Sequence, residues 1–578
     1  MGRKVADQLI ETIYEAGIRH IYAVTGDSLN EVNDAVRTHN TVKWVHVRHE
    51  EVGAYAALAE AELNGIGCCA GSSGPGHVHL INGLYDAQRS NASVLAIAST
   101  CATSEFGMSY FQETNTIKLF DDCSGYNQIA TTPVQFSRML QAALQHTVHK
   151  KEVAVLGLPG DIAADNAVEG PTTANLLLSK GIYRPQNSEL KALAELINST
   201  EKITIYCGIG SKGAHDEVVQ LASLIKSPVG YSFRGKMAVQ YDNPYEVGMT
   251  GLLGLPSAYT AMHDADLLIL LGTDFPYQTF MPEKCKIVQV DVRPERIGRR
   301  AKVDMALGGS VKDTLEALLP LINEKKNDDF LQTQLKVYAK VKDHLAMAAN
   351  RSGSEDTIAP EYLATVIDKL ANKDAIFTVD TGMCCVWGAR YLQATGEREM
   401  LGSFSHGSMA NAMPMAIGAA FARPDQQVIA FCGDGGLSMM MGDLATIVQY
   451  KLPIKLVVFD NRSLGMVKLE MEVAGLPDYE TDMFNPDFAA IATAMGMQSI
   501  RVNEPSKVEE TLREAFAIAG PVLISVQTDP NALAMPPKLE LSQMTGFAKS
   551  MTKLILSGRV DEVWDTAKSN LKHWRDVL

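Results

Sequence analysis

Residues 428–461 read VIAFCGDGGLSMMMGDLATIVQYKLPIKLVVFDN, and this stretch gives the strongest local indication of the fold class. An apolar run ends at Cys432 and opens into a glycine-rich turn, a helical pattern follows, and a second apolar run leads to Asn461. Strands that alternate with helices predict a parallel sheet wrapped by helices. Because the carboxyl ends of parallel strands lie at one edge of a sheet, we expect the Asp434 carboxylate and the Asn461 amide oxygen to converge on one hard cation.

Short apolar runs of this kind recur along all 578 residues, separated by longer helical patterns. The predicted strands are Ile21–Val24, Gly67–Ala70, Val94–Ala98, Val153–Leu158, Ile203–Cys207, Leu267–Leu271, Ile287–Asp291, Ile376–Val379, Val428–Cys432, Ile454–Phe459 and Val522–Val526. Polar stretches at Arg184–Ser188 and between Asn323 and Pro360 predict linkers. We therefore predict an α/β protein with three doubly wound parallel-sheet domains and a C-terminal amphipathic helical tail. The predicted boundaries are 1–183, 184–335, 336–529 and, for the tail, 530–578.

Composition restricts the classes of partner. A net charge of −15, with no cluster of Lys and Arg interleaved with aromatic residues, argues against nucleic acid. None of the nine cysteines has a CxxC spacing suited to zinc or redox exchange, so we expect buried reduced thiols in a cytosolic protein. Residues 1–17 predict an amphipathic helix and not a signal peptide. No apolar run approaches the roughly 20 residues that span a bilayer, so membrane contact is expected only at the surface.

Three further segments place polar residues or glycines where predicted strands and helices meet. Arg48–Glu51 puts two carboxylates at a helix start, where an isolated glutamate is ordinarily a solvated charge. His406–Pro414 opens a helix of small residues, and Asp380–Met383 follows a strand with a glycine that allows close approach. The glycines after Cys432 similarly let backbone amides approach phosphate oxygens.

Together these motifs resemble the thiamine diphosphate-dependent superfamily of 2-oxo acid decarboxylases, oxidases and acetolactate synthases. The resemblance implies that Glu50 hydrogen-bonds N1′ of the cofactor's pyrimidine and so promotes its imino tautomer. It implies Mg²⁺ held by Asp434, Asn461 and the backbone carbonyl of Ser463. Asp460 stands where the family often has an asparagine. The further positions that the resemblance assigns to this cofactor are Gly382, Gly407, Ser408, Met409, Gly435, Gly436, Arg462, Leu464, Gly465, Met466 and Val467, with Met409 forcing the cofactor to fold.

A closer resemblance, to the quinone-reducing pyruvate oxidases of bacteria, extends from the first helix to the tail. Four runs carry it: 24–30 (VTGDSLN), 110–114 (YFQET), 241–245 (YDNPY) and 247–252 (VGMTGL). It implies FAD in the middle domain, contacted by Gly251, Leu252, Leu253, Gly254, Asp274, Phe275, Pro276, Tyr277, Gln278 and Val292. It also implies pyruvate as the substrate, met by Phe111, Gln112, Met466 and Glu470. Met466 departs from the phenylalanine of that group.

The last residues indicate a membrane-facing helix. Seven apolar positions from Val560 to Leu578 repeat at helical spacing, and two of the four tryptophans lie there. Docking of this helix on its own core is the alternative.

We expect an enzyme that converts pyruvate to acetate and carbon dioxide and passes electrons through FAD to a membrane quinone. Glu50 and Asp434 lie in different domains, and the resemblance implies that the cofactor spans the first domain of one subunit and the third domain of another. The implied assembly is therefore a homodimeric core within a homotetramer, a dimer of dimers, and the expected location is the cytoplasmic face of the cell membrane. An acetolactate synthase-like enzyme and a phosphate- and oxygen-dependent pyruvate oxidase remain the alternatives.

Overall fold

The computed structural model describes residues 2–170, 181–275, 277–350, 357–532, 550–551 and 553. Within these residues the chain forms three six-stranded sheets in which every strand pair is parallel. The predicted α/β architecture of three parallel-sheet domains is therefore confirmed. The tail from residue 560 onwards lies outside the described residues.

The first sheet has the strand order β2-β1-β3-β4-β6-β5. Its strands are β1 (His20–Ala23), β2 (Lys43–His46), β3 (Gly67–Gly71), β4 (Val94–Thr100), β5 (Tyr126–Ile129) and β6 (Ala154–Pro159). The helices around it are α1 (Val5–Glu15), α2 (Asn30–His39), α3 (Glu50–Asn64), α4 (Pro75–Val78), α5 (Ile81–Ser90), α6 (Thr116–Leu119), α7 (Pro133–Lys150) and α8 (Gly160–Ala164). The predicted amphipathic first helix is confirmed, since α1 buries its apolar face.

Both faces of this sheet are covered. In β4, Val94, Ala96 and Ala98 belong to one buried cluster, whereas Leu95 and Ile97 belong to another. Because successive side chains of a strand point to opposite faces, helices must pack on both. This is the reason that the central strands appear in the sequence as continuous apolar runs.

The second sheet has the order β12-β11-β10-β7-β8-β9. Its strands are β7 (Ile203–Cys207), β8 (Val229–Tyr231), β9 (Glu246–Met249), β10 (Leu267–Leu271), β11 (Lys286–Asp291) and β12 (Met305–Gly308). The helices are α9 (Asn187–Ser199), α10 (His215–Ile225), α11 (Lys236–Val239), α12 (Pro256–His263), α13 (Val311–Leu318) and α14 (Asp329–Ala349). The boundary predicted between residues 335 and 336 falls inside α14, which runs through it without interruption because Leu331, Gln334 and Tyr338 are buried on one side.

The third sheet has the order β14-β13-β15-β16-β18-β17. Its strands are β13 (Ile376–Val379), β14 (Glu399–Gly402), β15 (Val428–Gly433), β16 (Ile454–Asp460), β17 (Gln498–Val502) and β18 (Val522–Gln527). The helices are α15 (Pro360–Leu370), α16 (Met383–Tyr391), α17 (Ala412–Ala422), α18 (Asp434–Met440), α19 (Leu444–Tyr450), α20 (Gly465–Val473), α21 (Phe488–Ala494) and α22 (Val508–Ala517).

The first and third sheets share a hydrophobic core through α3 and α17. Five alanines and one glycine occur among the 11 residues of α17, and the same number among the 15 of α3, so the two backbones can approach closely. The Arg48 backbone N–H also donates to Asp443 Oδ1 at 2.8 Å, across the same boundary. All nine cysteines are free in the structure; eight of them are buried, and Cys285 is half-buried. Among the described helices, none has the length and apolar character needed to cross a membrane.

Candidate active site

Glu50 is the first residue of α3 and is almost fully buried. A carboxylate is favoured at a helix N-terminus because the unpaired N–H groups there carry partial positive charge. His49 caps the helix, with its Nδ1 accepting from the Glu51 backbone N–H at 3.3 Å. The Glu50 carboxylate is therefore held at a fixed place at the carboxyl edge of the first sheet, and not on a solvated face.

A glycine turn brings Gln112 to the same place. A Cβ at Gly74 would lie 2.8 Å from Gln112 Cβ, and one at Gly76 would lie 3.2 Å from Glu50 Oε1. The Gln112 side-chain oxygen accepts from Ser73 Oγ at 3.2 Å. Glu50 and Gln112, which are 62 positions apart, thus both lie against the turn that contains Gly74 and Gly76. Phe111, the preceding residue, is 74% exposed in the single chain.

Asp434 lies where the sequence predicts it, at the end of β15 beside the end of β16. Its Oδ1 accepts from the Gly435 N–H at 2.8 Å, and its Oδ2 accepts from the Arg462 N–H at 2.7 Å. Asn461 directly follows β16, and its side-chain oxygen accepts from the Ser463 N–H at 3.2 Å. The structure thus brings Asp434 to the turn formed by residues 461–463, as the parallel arrangement of β15 and β16 requires.

Asn485 is a site residue that the sequence analysis missed. Its side-chain amide donates to Asp434 Oδ2 and to Asp460 Oδ1, both at 2.7 Å. Burial raises the pKa of Asp434, and the nearby Asp460 carboxylate raises it further. An amide that bridges two buried carboxylates offsets their mutual repulsion. The loop around Asn485 contains no recognisable motif, so only tertiary structure could have identified it.

The oxygen atoms around Asp434 fit a hard cation. The donor set consists of a carboxylate, an asparagine amide oxygen and a backbone carbonyl, which is the chemistry that Mg²⁺ prefers. Among the described residues, the buried Ser463 Oγ and Asn485 Oδ1 find no protein hydrogen-bond partner. Across the residues that the structure describes, no group of three or more His, Cys, Asp or Glu side chains is arranged to hold a metal ion.

Asp380 connects three loops at this edge of the third sheet. Its Oδ1 accepts from the Ala412 N–H at 2.8 Å and its Oδ2 accepts from the Gly433 N–H at 3.0 Å. Burial raises the pKa of Asp380 to about 7. A Cβ at Gly436 would lie 2.3 Å from Asp380 Oδ2, so only glycine fits at that position. Gly382 is needed for a different reason, because its φ of +122° disfavours any side chain.

The segment 406–409 borders the same space. A Cβ at Gly435 would lie 3.0 Å from Met409 Cε, which places Met409 over the glycine turn. Ser408 Oγ accepts from the Asn82 amide at 3.0 Å, and His406 Nε2 is 3.0 Å from Asn82 Oδ1. Gly407 has a φ of +83°. The segment is therefore fixed against the first domain of its own chain.

Helix α20 begins at Gly465, directly after the Asn461 turn, and a Cβ at Gly465 would lie 3.0 Å from Met383 Cγ. The Leu464 N–H donates to the Thr481 carbonyl at 2.8 Å. Met466 is half-buried, whereas Val467 and Glu470 are exposed. Helix α20 thus follows the Asn461 turn directly, and the cofactor and substrate contacts assigned to Met466, Val467 and Glu470 stay predictions.

Three non-glycine residues of the site have left-handed backbone conformations: Gln112 at φ +61°, Ala410 at φ +66° and Arg462 at φ +52°. Such conformations are strained for residues with a Cβ and concentrate at functional loops. All three lie in turns that carry predicted site residues.

The positions predicted for FAD are only partly brought together. A Cβ at Gly251 would lie 2.9 Å from the Phe275 ring, so the loops after β9 and β10 meet. Asp274 Oδ1 accepts from Arg300 Nε at 3.2 Å, and Gln278 donates weakly to the Arg299 carbonyl at 3.4 Å. The remaining positions are Leu252, Tyr277 and Val292, which are exposed, Leu253, which is half-buried, and Gly254, which turns tightly against Thr250. Pro276 lies outside the described residues.

Glu50 lies in the first domain, whereas Asp434 and Asn461 lie in the third. In the described residues no hydrogen bond or ion pair joins Glu50 to Asp434 or Asn461. Asn82 is one residue that joins the two domains near the site, because it donates to Glu51 Oε1 at 2.7 Å as well as to Ser408 Oγ. Asn82 thus connects Glu51 with the Ser408 segment of the third domain, whereas the Glu50 carboxylate lies against His79.

Comparison with known proteins gives the class. Three thiamine pyrophosphate enzyme models match the chain: the N-terminal TPP binding domain at residues 3–119, the central domain at 190–318 and the C-terminal TPP binding domain at 380–526. The chain belongs to the thiamine pyrophosphate enzyme family. Thiamine diphosphate is therefore its cofactor, and Mg²⁺ is the metal typical of the family.

Several relatives cover nearly the whole chain. A putative thiamine pyrophosphate-containing protein of Bacillus subtilis is 34% identical over 577 residues, which are 98% of this chain and 99% of that protein. A pyruvate oxidase of Lactiplantibacillus plantarum is 32% identical over 552 residues, 93% of this chain and 91% of its own. A probable acetolactate synthase large subunit of Methanocaldococcus jannaschii is 29% identical over 566 residues, 92% of this chain and 93% of its own.

Proposed function

We propose that this enzyme is a pyruvate oxidase that uses thiamine diphosphate and FAD and delivers electrons to a membrane quinone. Pyruvate, water and the quinone would give acetate, carbon dioxide and the quinol. The observation that carries this proposal is that the turn with Gly74 and Gly76 contacts both Glu50 and Gln112, the carboxylate and the amide to which we assign proton exchange and substrate binding. The identity with the pyruvate oxidase of Lactiplantibacillus plantarum, over 93% of the chain, supports the same conclusion.

Each group of residues has a role in this proposal. Asp434, Asn461 and the Ser463 carbonyl bind Mg²⁺, and the glycines at 382, 435 and 436 leave room for the diphosphate. Arg462, Leu464, Gly465, Met466 and Val467 continue that contact along the start of α20. Bound thiamine diphosphate supplies the carbon nucleophile that attacks a 2-oxo acid. Glu50 exchanges a proton with the pyrimidine, while Gly407, Ser408 and Met409 support it.

The substrate and the flavin occupy neighbouring positions in the proposal. Phe111, Gln112, Met466 and Glu470 contact pyruvate, and Gln112 offers the hydrogen-bonding group for its carboxylate. FAD lies at the carboxyl edge of the second sheet, along the loops that carry Gly251–Gly254, Asp274–Gln278 and Val292. The contact between Gly251 and Phe275 supports a common surface for these loops.

The test is anaerobic reduction of the flavin. The purified protein, loaded with thiamine diphosphate, Mg²⁺ and FAD, is mixed with pyruvate and the flavin absorbance is followed. Bleaching with release of acetate and carbon dioxide is the expected result. A protein that binds FAD but stays yellow with pyruvate would contradict the proposal.

Product analysis separates the two alternatives. An acetolactate synthase-like enzyme, favoured by the Methanocaldococcus jannaschii relative, would form acetolactate while the flavin stays oxidised. A phosphate- and oxygen-dependent pyruvate oxidase would form acetyl phosphate and consume oxygen. Acetate formed with a quinone analogue, in the absence of phosphate, would support the quinone-linked reaction.

We also propose a homotetramer, as a dimer of dimers, in which each site combines Glu50 of one subunit with Asp434 of another. The aromatic residues Phe111, Tyr479 and Phe484 support it, because they are 74%, 77% and 101% exposed in one chain and large exposed aromatics favour interfaces. Co-expression of Glu50→Gln and Asp434→Ala chains tests this. Random pairing would restore about a quarter of the wild-type activity, because half of the dimers would have one intact site. No restoration would place the site within one chain.

The last part of the proposal is attachment to the cytoplasmic face of the cell membrane through the tail at 530–578. The apolar periodicity from Val560 to Leu578 supports it. Removal of all residues after Ser557 should leave an enzyme that reduces its flavin with pyruvate but no longer floats with phospholipid vesicles. Equal flotation of the truncated and full-length proteins would contradict the attachment.

A further inference from the structure

His79 lies against the carboxylate that the proposed function assigns to proton exchange. Its Nδ1 is 2.9 Å from Glu50 Oε2. The residue directly follows α4, so the turn that carries Gly74 and Gly76 also delivers this ring. The Glu50 side chain is 9% exposed and that of His79 is 43% exposed. The pair therefore stands at the mouth of the pocket, with the imidazole on the outer side.

Two neighbours of His79, the His49 ring and the Glu50 carboxylate, determine which nitrogen of the His79 ring carries the proton. His49 Nδ1 accepts from the Glu51 N–H, so its own proton must be on Nε2 when the ring is neutral. The His79 ring stacks on His49, with centroids 4.4 Å apart and planes at 21°. His79 Nδ1 faces a carboxylate oxygen, so this nitrogen is the donor. The stack holds the ring in the orientation in which Nδ1–H meets Oε2.

The hydrogen bond from His79 occupies Oε2 of Glu50 and leaves Oε1 free to accept another hydrogen bond. Oε1 lies 3.2 Å from the position of a Cβ at Gly76, so a glycine leaves that oxygen accessible. The terminal torsion of a glutamate is broad and nearly two-fold, so nothing intrinsic to the side chain selects an oxygen. A donor fixed on Oε2 removes that freedom and fixes the direction in which Oε1 points.

We propose that His79 is a positioning residue whose Nδ1–H holds Oε2 of Glu50, so that Oε1 is presented to N1′ of the bound thiamine diphosphate. The inference rests on the proposed role of Glu50. The inference further requires a hydrogen-bond donor at the position of His79 Nδ1, within reach of Glu50 Oε2. Asparagine can meet this requirement, because its side-chain nitrogen occupies nearly the position of histidine Nδ1. Phenylalanine cannot, although it keeps a ring that stacks on His49.

The experiment compares His79→Asn with His79→Phe. His79→Ala is a second variant without a donor in case the phenylalanine impairs folding. His146→Phe is the matched control, because His146 also pairs with a carboxylate at 2.9 Å, Glu152, but on α7, away from the site. Three quantities are measured on each full-length protein: the affinity for thiamine diphosphate with Mg²⁺ by calorimetry, the circular dichroism band of the imino tautomer, and the rate of C2 hydrogen–deuterium exchange of the bound cofactor.

We expect His79→Phe and His79→Ala to slow the exchange at least about 10-fold and to weaken the tautomer band, because the carboxylate loses its orientation. The affinity should change only about 3-fold, because the metal and diphosphate contacts are intact. His79→Asn should restore most of the exchange rate, and His146→Phe should match the wild type.

Two results would overturn the inference: wild-type exchange in the variants without a donor, or an asparagine variant as slow as the phenylalanine variant. The second would mean that the ring, not the donor, matters. Failure of the proposed function is recognised separately, since Glu50→Gln would then exchange as fast as the wild type. If Glu50→Gln is slow while all His79 variants are normal, only the inference about His79 fails.

Discussion

Gly418 of α17 packs so closely on Ala56 of α3 that a Cβ at residue 418 would lie 2.1 Å from the Ala56 carbonyl oxygen. Real side chains never approach a carbonyl oxygen so closely. The contact sets the spacing of the two helices that join the first and third sheets. It also positions Glu50, because α3 begins at that residue.

The close contact predicts that Gly418→Ala is strongly destabilising. The two helix backbones would have to separate, which disrupts the shared core, so we expect a loss of about 3 kcal/mol or failure to fold. Thermal unfolding followed by circular dichroism is the measurement. Gly442→Ala is the control, because a Cβ there would meet nothing within 4 Å. An unchanged melting temperature for Gly418→Ala would contradict the packing.

For Glu50→Gln we expect near-complete loss of turnover with the fold retained. Glutamine keeps the size of the side chain but cannot exchange a proton with the pyrimidine, and the Asp434 group is untouched. Steady-state assays with pyruvate and calorimetric binding of thiamine diphosphate are the measurements. Glu51→Gln is the matched control, since its Oε1 only accepts from Asn82 and an amide oxygen can do the same. Activity close to wild type in Glu50→Gln would disprove the assignment.

Asn485→Ala tests the bridge between the two buried carboxylates. Without the amide, Asp434 and Asp460 lose the donor that they share, and Asp434 is no longer held for metal binding. Loss of such a supporting contact typically weakens metal binding about 10–100-fold, so we expect a similar rise in the Mg²⁺ concentration needed to bind thiamine diphosphate. Asn503→Ala, on the exposed end of the third sheet, is the control. Equal Mg²⁺ dependence in both variants would show that Asn485 has no such role.

The central strands could be predicted from the sequence because they are buried on both faces. Ile203–Cys207, Leu267–Leu271 and Ile376–Val379 were located to the residue. The six edge strands were missed, and so was the three-residue β8. Edge strands such as β5 and β17 have exposed polar residues, so they lack a continuous apolar run.

Some residues of the candidate site could likewise be predicted from the sequence, and others could not. Asp434 and Asn461 follow strands and could be placed from the local pattern alone. His79 and Asn485 could not, because their partners are 29 and 51 residues away and the intervening sequence gives no sign of the contact. Contacts of this kind depend on how loops from different strands meet at a sheet edge, which is decided by tertiary packing.

Asp86 provides a prediction about pH. It is fully buried on α5, and burial raises its pKa to about 7 from a usual value of 3.8. The nearby Glu62 carboxylate raises the pKa as well, whereas the Ser90 hydroxyl, which donates to Oδ1 at 3.2 Å, and Arg234 lower it. Between about pH 4 and pH 7 the folded protein therefore holds a proton on Asp86 that the unfolded chain has released. Stability must fall as the pH rises through this window.

Asp86→Asn should remove this dependence, because asparagine resembles the protonated acid and cannot ionise. The variant should match the wild type near pH 4 and should exceed it by up to about 4 kcal/mol at pH 8, where the wild type contains a buried carboxylate. Melting temperatures of both proteins, measured from pH 4.5 to pH 8, give the difference directly. Asp121→Asn, an exposed position in the same domain, is the control and should follow the wild type at every pH. If the melting temperatures of Asp86→Asn and the wild type differ by the same amount throughout, Asp86 does not titrate in this range.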